Sequence, residues 1–167
     1  IVILLLMLVS GIIKTGDLRR RFPFEIWILI GSALVVAQAM EDTGLVNWIS
    51  ENLHMALSEG GPYFGLIGIY LFTLLMTESM TNNAAAAIAF PLGYALAVSF
   101  DVDPMPFVMA VAFGASASFI TPYGYTTNLM VQNLGGYIFS DYVKVGLPVG
   151  IVYSAVVMYM LPRVFPF

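Results

Sequence analysis

The chain has 167 residues, 60% of them hydrophobic and 10% charged, with a mean hydropathy of +0.91. A soluble domain carries roughly 25% charged residues, so this composition reads as an integral membrane protein. A formal net charge of −4 and six basic residues that form no groove-sized patch exclude a nucleic-acid groove, and the lack of cysteine excludes disulfides, thiol catalysis and thiolate metal sites.

Ile1–Ile13 (IVILLLMLVSGII) supplies about 13 apolar residues against the roughly 20 that a span needs, and reads as the end of a transmembrane helix. No charged region precedes it, which fits the middle of a larger protein better than a signal peptide. Residues 14–21 (KTGDLRRR) hold four of the six basic residues, so the positive-inside rule places this loop in the cytoplasm. Residues 24–40 form the next span, with Trp27 as an interfacial anchor, running outward to Glu41, Asp42 and a Thr43–Gly44 turn. Over 45–58, Leu45, Ile49, Leu53 and Leu57 recur every four residues opposite Asn47, Glu51 and His54. That pattern is an amphipathic helix lying in the interface plane. His54 falls on its wet face, where solvation is the ordinary fate of a histidine.

The segment 62–100 holds an anomaly. Tyr63–Met76 and Ala84–Phe100 are apolar, but Thr77–Asn83 (TESMTNN) is mostly polar. Two full spans would put this tip at the cytoplasmic interface, whereas a re-entrant hairpin would put residues 77–83 near the midplane. The short first arm and the Ala84–Ala87 run, which admits close backbone approach, favour the hairpin. Residues 105–139 are long enough for one span, broken at 121–128 (TPYGYTTN) by Pro122, Gly124 and a run of hydroxyls. Residues 142–162 form the last span. This topology leaves Arg163 as the one basic residue outside.

Lipid cannot satisfy backbone polar groups, so two polar interruptions at depth must face protein or water. Unwound carbonyls and hydroxyls suit a dehydrated cation, and helix N-termini starting at Asn83 or Asn128 suit an anion. Together they are the ingredients of a midplane transport site. The plainer alternative is that Thr81, Asn82 and Asn83 only cap the helix that begins at Ala84, and that TPYGYTTN is an ordinary loop. Glu78, the one acid between Glu59 and Asp101, can carry a proton, neutralise a cation or hold the hairpin tip by hydrogen bonds. With no second acid nearby to relay a proton, the last role is preferred. No histidine, acid and nucleophile share one predicted face, so the chain is not read as an enzyme.

TESMTNNAAAAIAFP followed by GASASFITPYGYTTN resembles the second half of the divalent-anion/sodium symporter (DASS) family of the ion transporter superfamily. Its members carry Ser-Asn-Thr at a re-entrant tip, preceded by Thr-Glu, and a later Thr-Pro-Pro-Asn-like turn. GGYIFSDYVKVGLPVGI resembles the carboxy-terminal region of a branch with inserted regulatory domains. The resemblance implies an all-α transmembrane fold, the second half of an inverted-repeat, elevator-type transporter with a re-entrant hairpin and a discontinuous helix. It implies sodium-coupled uptake of a small divalent anion (dicarboxylate, citrate or sulfate), no organic cofactor, a homodimer, and an N-terminal half bringing the matching signature.

Carried over by position, Thr77, Asn82 and the carbonyls of Met80 and Gly124 would surround sodium. Thr81, Asn82, Asn83, Tyr125 and Thr126 would face the anion, with Asn128 supporting the turn as part of the same substrate site. Asn83 replaces a hydroxyl, Thr126-Thr127 replaces the proline pair, and bulky Tyr125 stands where threonine is usual, which points to a small anion such as sulfate. The multi-pass protein would lie in a plasma or inner membrane. Two other readings stay open: a cation/proton antiporter or arsenite-type efflux permease of the same superfamily, with Glu78 as proton carrier, and a non-transporting membrane assembly subunit.

Overall fold

The computed structural model describes residues 24–45 and 60–167, together with the single positions 7, 10, 11, 47, 48, 51, 52 and 55. The expected basic loop 14–21 and nearly all of the expected partial span 1–13 lie outside the described residues. Of the expected interfacial helix 45–58, Leu45, Asn47, Trp48, Glu51, Asn52 and Met55 are described, all helical and exposed. Contacts divide the chain into two units, Ile1–Ser32 and Ala33–Phe167. The first contributes, besides Met7, Ser10 and Gly11, the start of helix α1, where Phe24, Trp27 and Ile28 are exposed.

All regular structure among the described residues is helical: α1 (Phe24–Asp42), α2 (Gly61–Thr77), α3 (Asn82–Ser99), α4 (Met105–Ala115), α5 (Thr126–Gly135) and α6 (Phe139–Val164). The fold is that of an all-α membrane protein. By length and composition, α6 is long and apolar enough to cross a membrane among the described residues; α2 and α4 are shorter apolar helices.

In the second unit, α2, α3 and α4 pack on one another and α6 packs against α4. Apolar side chains gain little from leaving lipid for a protein core, so close backbone approach must supply the contact. The sequence provides for it with a stripe of small residues: Ala85, Ala89, Gly93 and Ala97, four apart on α3, are all buried. A Cβ on Gly93 would come within 3.2 Å of the Val111 side chain, and one on Gly114 within 3.0 Å of the Tyr70 carbonyl. Leu66, Ile69 and Tyr70 of α2 and Phe107, Ala110 and Val111 of α4 complete the core.

On α6, Gly146, Gly150, Val157 and Leu161 are buried, whereas Leu147, Ile151, Val152, Val156 and Tyr159 are exposed. A helix apolar on every side, with one narrow buried face, suits an apolar surrounding. Hydrogen bonds tie the bundle at the same time: Tyr70 Oη and Ser154 Oγ stand 2.8 Å apart, and Tyr63 Oη donates to the Met158 carbonyl at 3.2 Å.

Sequence reading carries the helix from residue 105 to Ile120, but α4 stops at Ala115 and helix resumes only at Thr126. The reason is competition for donors. The N–H groups of Phe119, Ile120 and Thr121, which would continue the helix, bond instead to the Glu78 carboxylate.

Candidate transport site at the turn between α2 and α3

The turn begins where α2 runs out. Thr77 is its last residue, fully buried, and residues 78–81 lead to α3. Thr81 has an extended backbone and its hydroxyl accepts the Ala84 N–H at 3.3 Å, so it is the N-cap of α3. The capping role weighed above is therefore real. Asn82 and Asn83 are the first two residues of α3, where N–H groups have no intrahelical acceptor.

Thr77 and Asn82 meet across the turn. The Thr77 hydroxyl carries one proton, which it gives to the Ala115 carbonyl at 2.7 Å. It is then an acceptor for the Asn82 amide 2.8 Å away. With its –NH2 turned inward, that amide also reaches the Ala115 carbonyl at 3.0 Å and the Gly124 carbonyl at 3.1 Å. Three oxygens thus converge on one amide: a hydroxyl, the last carbonyl of α4, and a carbonyl of the unwound segment. Turned over, the amide would present Oδ1 and make the group four oxygens.

Glu78 fixes the unwound segment to the turn. Its Oε1 accepts from the backbone N–H groups of Phe119 (3.1 Å) and Ile120 (3.0 Å), and Oε2 from Thr121 (2.8 Å). The Thr121 hydroxyl returns a bond to the Glu78 carbonyl at 2.8 Å. A carboxylate, which only accepts, matches three donors, so holding the tip is the role the geometry gives Glu78.

The segment 116–125 lies between this turn and α6. Gly146 lets α6 approach so closely that an added Cβ would collide with the Phe119 carbonyl. The Phe119 ring meets Tyr153 edge-on, with centroids 5.2 Å apart. Asn128 Nδ2 donates to the carbonyls of Ser118 (3.3 Å) and Thr121 (3.4 Å), and Tyr142 Oη donates to the Asn128 carbonyl at 2.7 Å. The Asn128 side chain is thereby spent on shaping the loop. Thr81, Asn83, Tyr125 and Thr126 are exposed, and Met80 is partly buried, with its N–H bonded to the Met76 carbonyl at 3.0 Å.

Because Asn82 touches Gly124 and α5 starts at Thr126, the N-termini of α3 and α5 come to the same place. The residues expected to face an anion sit at these two ends. A cavity of about 390 Å³ lies elsewhere, lined by Phe119, Val131, Tyr142, Val145 and Val149; of the expected site residues it includes Asn128. Sequence reasoning missed the Ala115 carbonyl, since any residue type supplies one; the small-residue run ending at Ser118 was the available hint.

A family model described as a citrate transporter (CitMHS) matches residues 1–167. The chain is 34% identical over 146 residues to an uncharacterized transporter, sll0640, of Synechocystis, covering 87% of this chain and 24% of that protein. It is 32% identical over 157 residues to probable sodium/sulfate cotransporter 3 of Chlamydomonas reinhardtii, covering 93% and 18%. It is 29% identical over 153 residues to the sodium-dependent dicarboxylate transporter SdcS of Staphylococcus saprophyticus, covering 89% and 29%. The chain thus spans less than a third of the length of these relatives. This membrane chain, helical in all regular structure among its described residues and matched by the family model over its whole length, belongs to the citrate-transporter family that includes the sodium/sulfate and sodium-dependent dicarboxylate (DASS) transporters.

Proposed function

We propose that this chain is the ion- and substrate-holding half of a secondary active transporter that takes up a small divalent anion, dicarboxylate, citrate or sulfate, with sodium. The observation that carries the reading is the convergence of Thr77 Oγ1, Ala115 O and Gly124 O on the Asn82 amide, beside two helix N-termini. The names of relatives in Chlamydomonas and Staphylococcus supply sodium, sulfate and dicarboxylate as the class to test.

A hard cation prefers oxygen. Without an ion, the Asn82 –NH2 group quenches the three oxygens by hydrogen bonds. With sodium as co-substrate, the amide turns so that Oδ1 joins them, and the Met80 carbonyl adds a further donor from the turn. The cation's charge then adds to the partial positive charge of the α3 and α5 N-termini, and the dianion binds over Thr81, Asn82, Asn83, Tyr125 and Thr126. Asn128 holds the turn that presents Tyr125 and Thr126. Ion and anion are coupled because each supplies charge that the other's site lacks.

The remainder of the mechanism follows the resemblance. The hairpin enters the membrane without crossing it, the loop 14–21 is cytoplasmic, and an N-terminal half brings the matching repeat. The two halves move together as an elevator within a homodimer.

The test uses the full-length protein in proteoliposomes, with radiolabelled sulfate and succinate as probes under an inward sodium gradient or with choline in its place. Uptake of at least one anion is expected to depend on sodium, and Asn82→Ala to remove that dependence. Uptake of both anions at the same rate in choline overturns the sodium reading.

A further inference from the structure

We propose that the Ser118 hydroxyl is an additional oxygen ligand of the cation held at the Thr77, Asn82 and Gly124 cluster, a proposal that rests on the sodium-coupled reading above. Ser118 is 6% exposed, and its Oγ is buried with no hydrogen-bond partner. A buried polar atom left unpaired costs about 1–3 kcal/mol, so a hydroxyl in that state needs a reason. Around it, the polar groups named above are engaged: Thr77 with Ala115, Asn82 with three oxygens, Glu78 with three N–H groups, and Asn128 with two carbonyls.

Position supplies the reason. A Cβ added to Gly124 would collide with both Ser118 Oγ and the Thr77 carbonyl. The unpartnered oxygen therefore lies against the bare face of the residue whose own carbonyl is in the cluster, next to the main chain of the residue whose hydroxyl is in it. A hard cation such as sodium is held by oxygen ligands, and the Ser118 hydroxyl is an oxygen at the cluster that no hydrogen bond has claimed. The Ser118 backbone is fixed on both sides, since its carbonyl accepts Asn128 Nδ2 and the next N–H is held by Glu78. Rotation about χ1 is the motion left to bring the oxygen to the ion. Exposed Tyr125 and Thr126 lie on the outer side of the same loop, so the buried hydroxyl belongs to the cation and not to the anion.

The experiment titrates sodium, with choline keeping ionic strength constant, against the thermal midpoint of the detergent-solubilised full-length protein without anion. The same titration is then run on sulfate uptake. Wild type is expected to gain stability with sodium and Thr77→Ala to lose that gain. Ser118→Ala and Ser118→Gly are both expected to need about tenfold more sodium for half of the effect, the low end of what removing a supporting group costs a metal site. Either variant serves if the other does not fold. Serine variants that titrate like wild type while Thr77→Ala does not overturn this proposal and leave the sodium reading standing. A shift in the sulfate KM with the sodium midpoint unmoved places the hydroxyl at the anion and also overturns it. A wild type indifferent to sodium overturns both.

Discussion

The Thr121 N–H donates to Glu78 Oε2 at 2.8 Å while the Thr121 hydroxyl donates to the Glu78 carbonyl, also at 2.8 Å, so two residues 43 apart are joined by side chain and main chain at once. This pair of hydrogen bonds between the α2–α3 turn and the unwound segment keeps the oxygens of Thr77 and Gly124 in register. Both oxygens of the carboxylate are engaged by backbone N–H groups of the unwound segment.

Glu78→Gln replaces one acceptor by a donor that faces backbone N–H groups. Hydrogen bonds to a charged group are each worth about 1.5–3 kcal/mol, so a loss of roughly that size is expected. The full-length protein should unfold at a lower temperature, read in detergent by size-exclusion after heating. The pH dependence of uptake should keep its shape. A flattened pH profile with unchanged stability would instead favour Glu78 as a proton carrier, the antiporter reading.

Two glycines separate crowding from backbone conformation. Gly146→Ala would drive a Cβ into the Phe119 carbonyl, an atom of the backbone that cannot swing aside. Overpacking of this kind costs about 1–3 kcal/mol or more. Gly136→Ala meets nothing within 4 Å but sits at φ +67°, a left-handed cap after α5, where the cost is about 1 kcal/mol. Chemical or thermal unfolding should rank Gly146→Ala as the worse, and only that variant should also depress uptake, because it displaces the segment that carries Gly124.

The places where the sequence spoke and where it was silent have a common physics. Polar side chains in an apolar run are conspicuous, so the turn at 77–83, with Thr77 and Asn82 at its heart, could be located from residue types alone. The second interruption was also visible through Pro122, Gly124 and Asn128. Its beginning was not, because Ala115–Ile120 contains neither glycine nor proline. α4 ends at Ala115 through a carboxylate 41 to 43 residues earlier in the chain that captures three N–H groups. Backbone partners were equally hidden: neither the Ala115 carbonyl facing Thr77 nor the Asn128 carbonyl facing Tyr142 has a signature in residue identity.

Thr81 tests how far a capping role and an anion role can be separated. Thr81→Ser keeps the oxygen that accepts the Ala84 N–H and should retain the stability of the full-length protein. Thr81→Ala should lose about 1 kcal/mol, the usual worth of an N-cap. If the exposed hydroxyl also meets the anion, sulfate KM should rise in the alanine variant and not in the serine one.

Tyr142→Phe removes the hydroxyl that donates to the Asn128 carbonyl at 2.7 Å and leaves the ring in place. A loss of about 0.5–1.5 kcal/mol is expected from one hydrogen bond. Since Asn128 only shapes the loop, the variant should lower the thermal midpoint and leave the half-saturating sodium concentration within about twofold of wild type, a shift worth under 0.5 kcal/mol.

The bonds that seat the α2–α3 turn also set an order of events during synthesis. The Thr77 hydroxyl waits for Ala115, Glu78 waits for Phe119 through Thr121, and Asn82 waits for Gly124. At about 5–20 residues per second, the ribosome delivers those partners only seconds after the hairpin itself has emerged. During that interval the Glu78 carboxylate has none of the three N–H groups it finally accepts from, and the Asn82 amide has only Thr77. The apolar arms must therefore be lodged first and the polar tip closed last, when the broken helix arrives to receive it. Newly made protein interrupted before residue 121 should be an early target for membrane quality control.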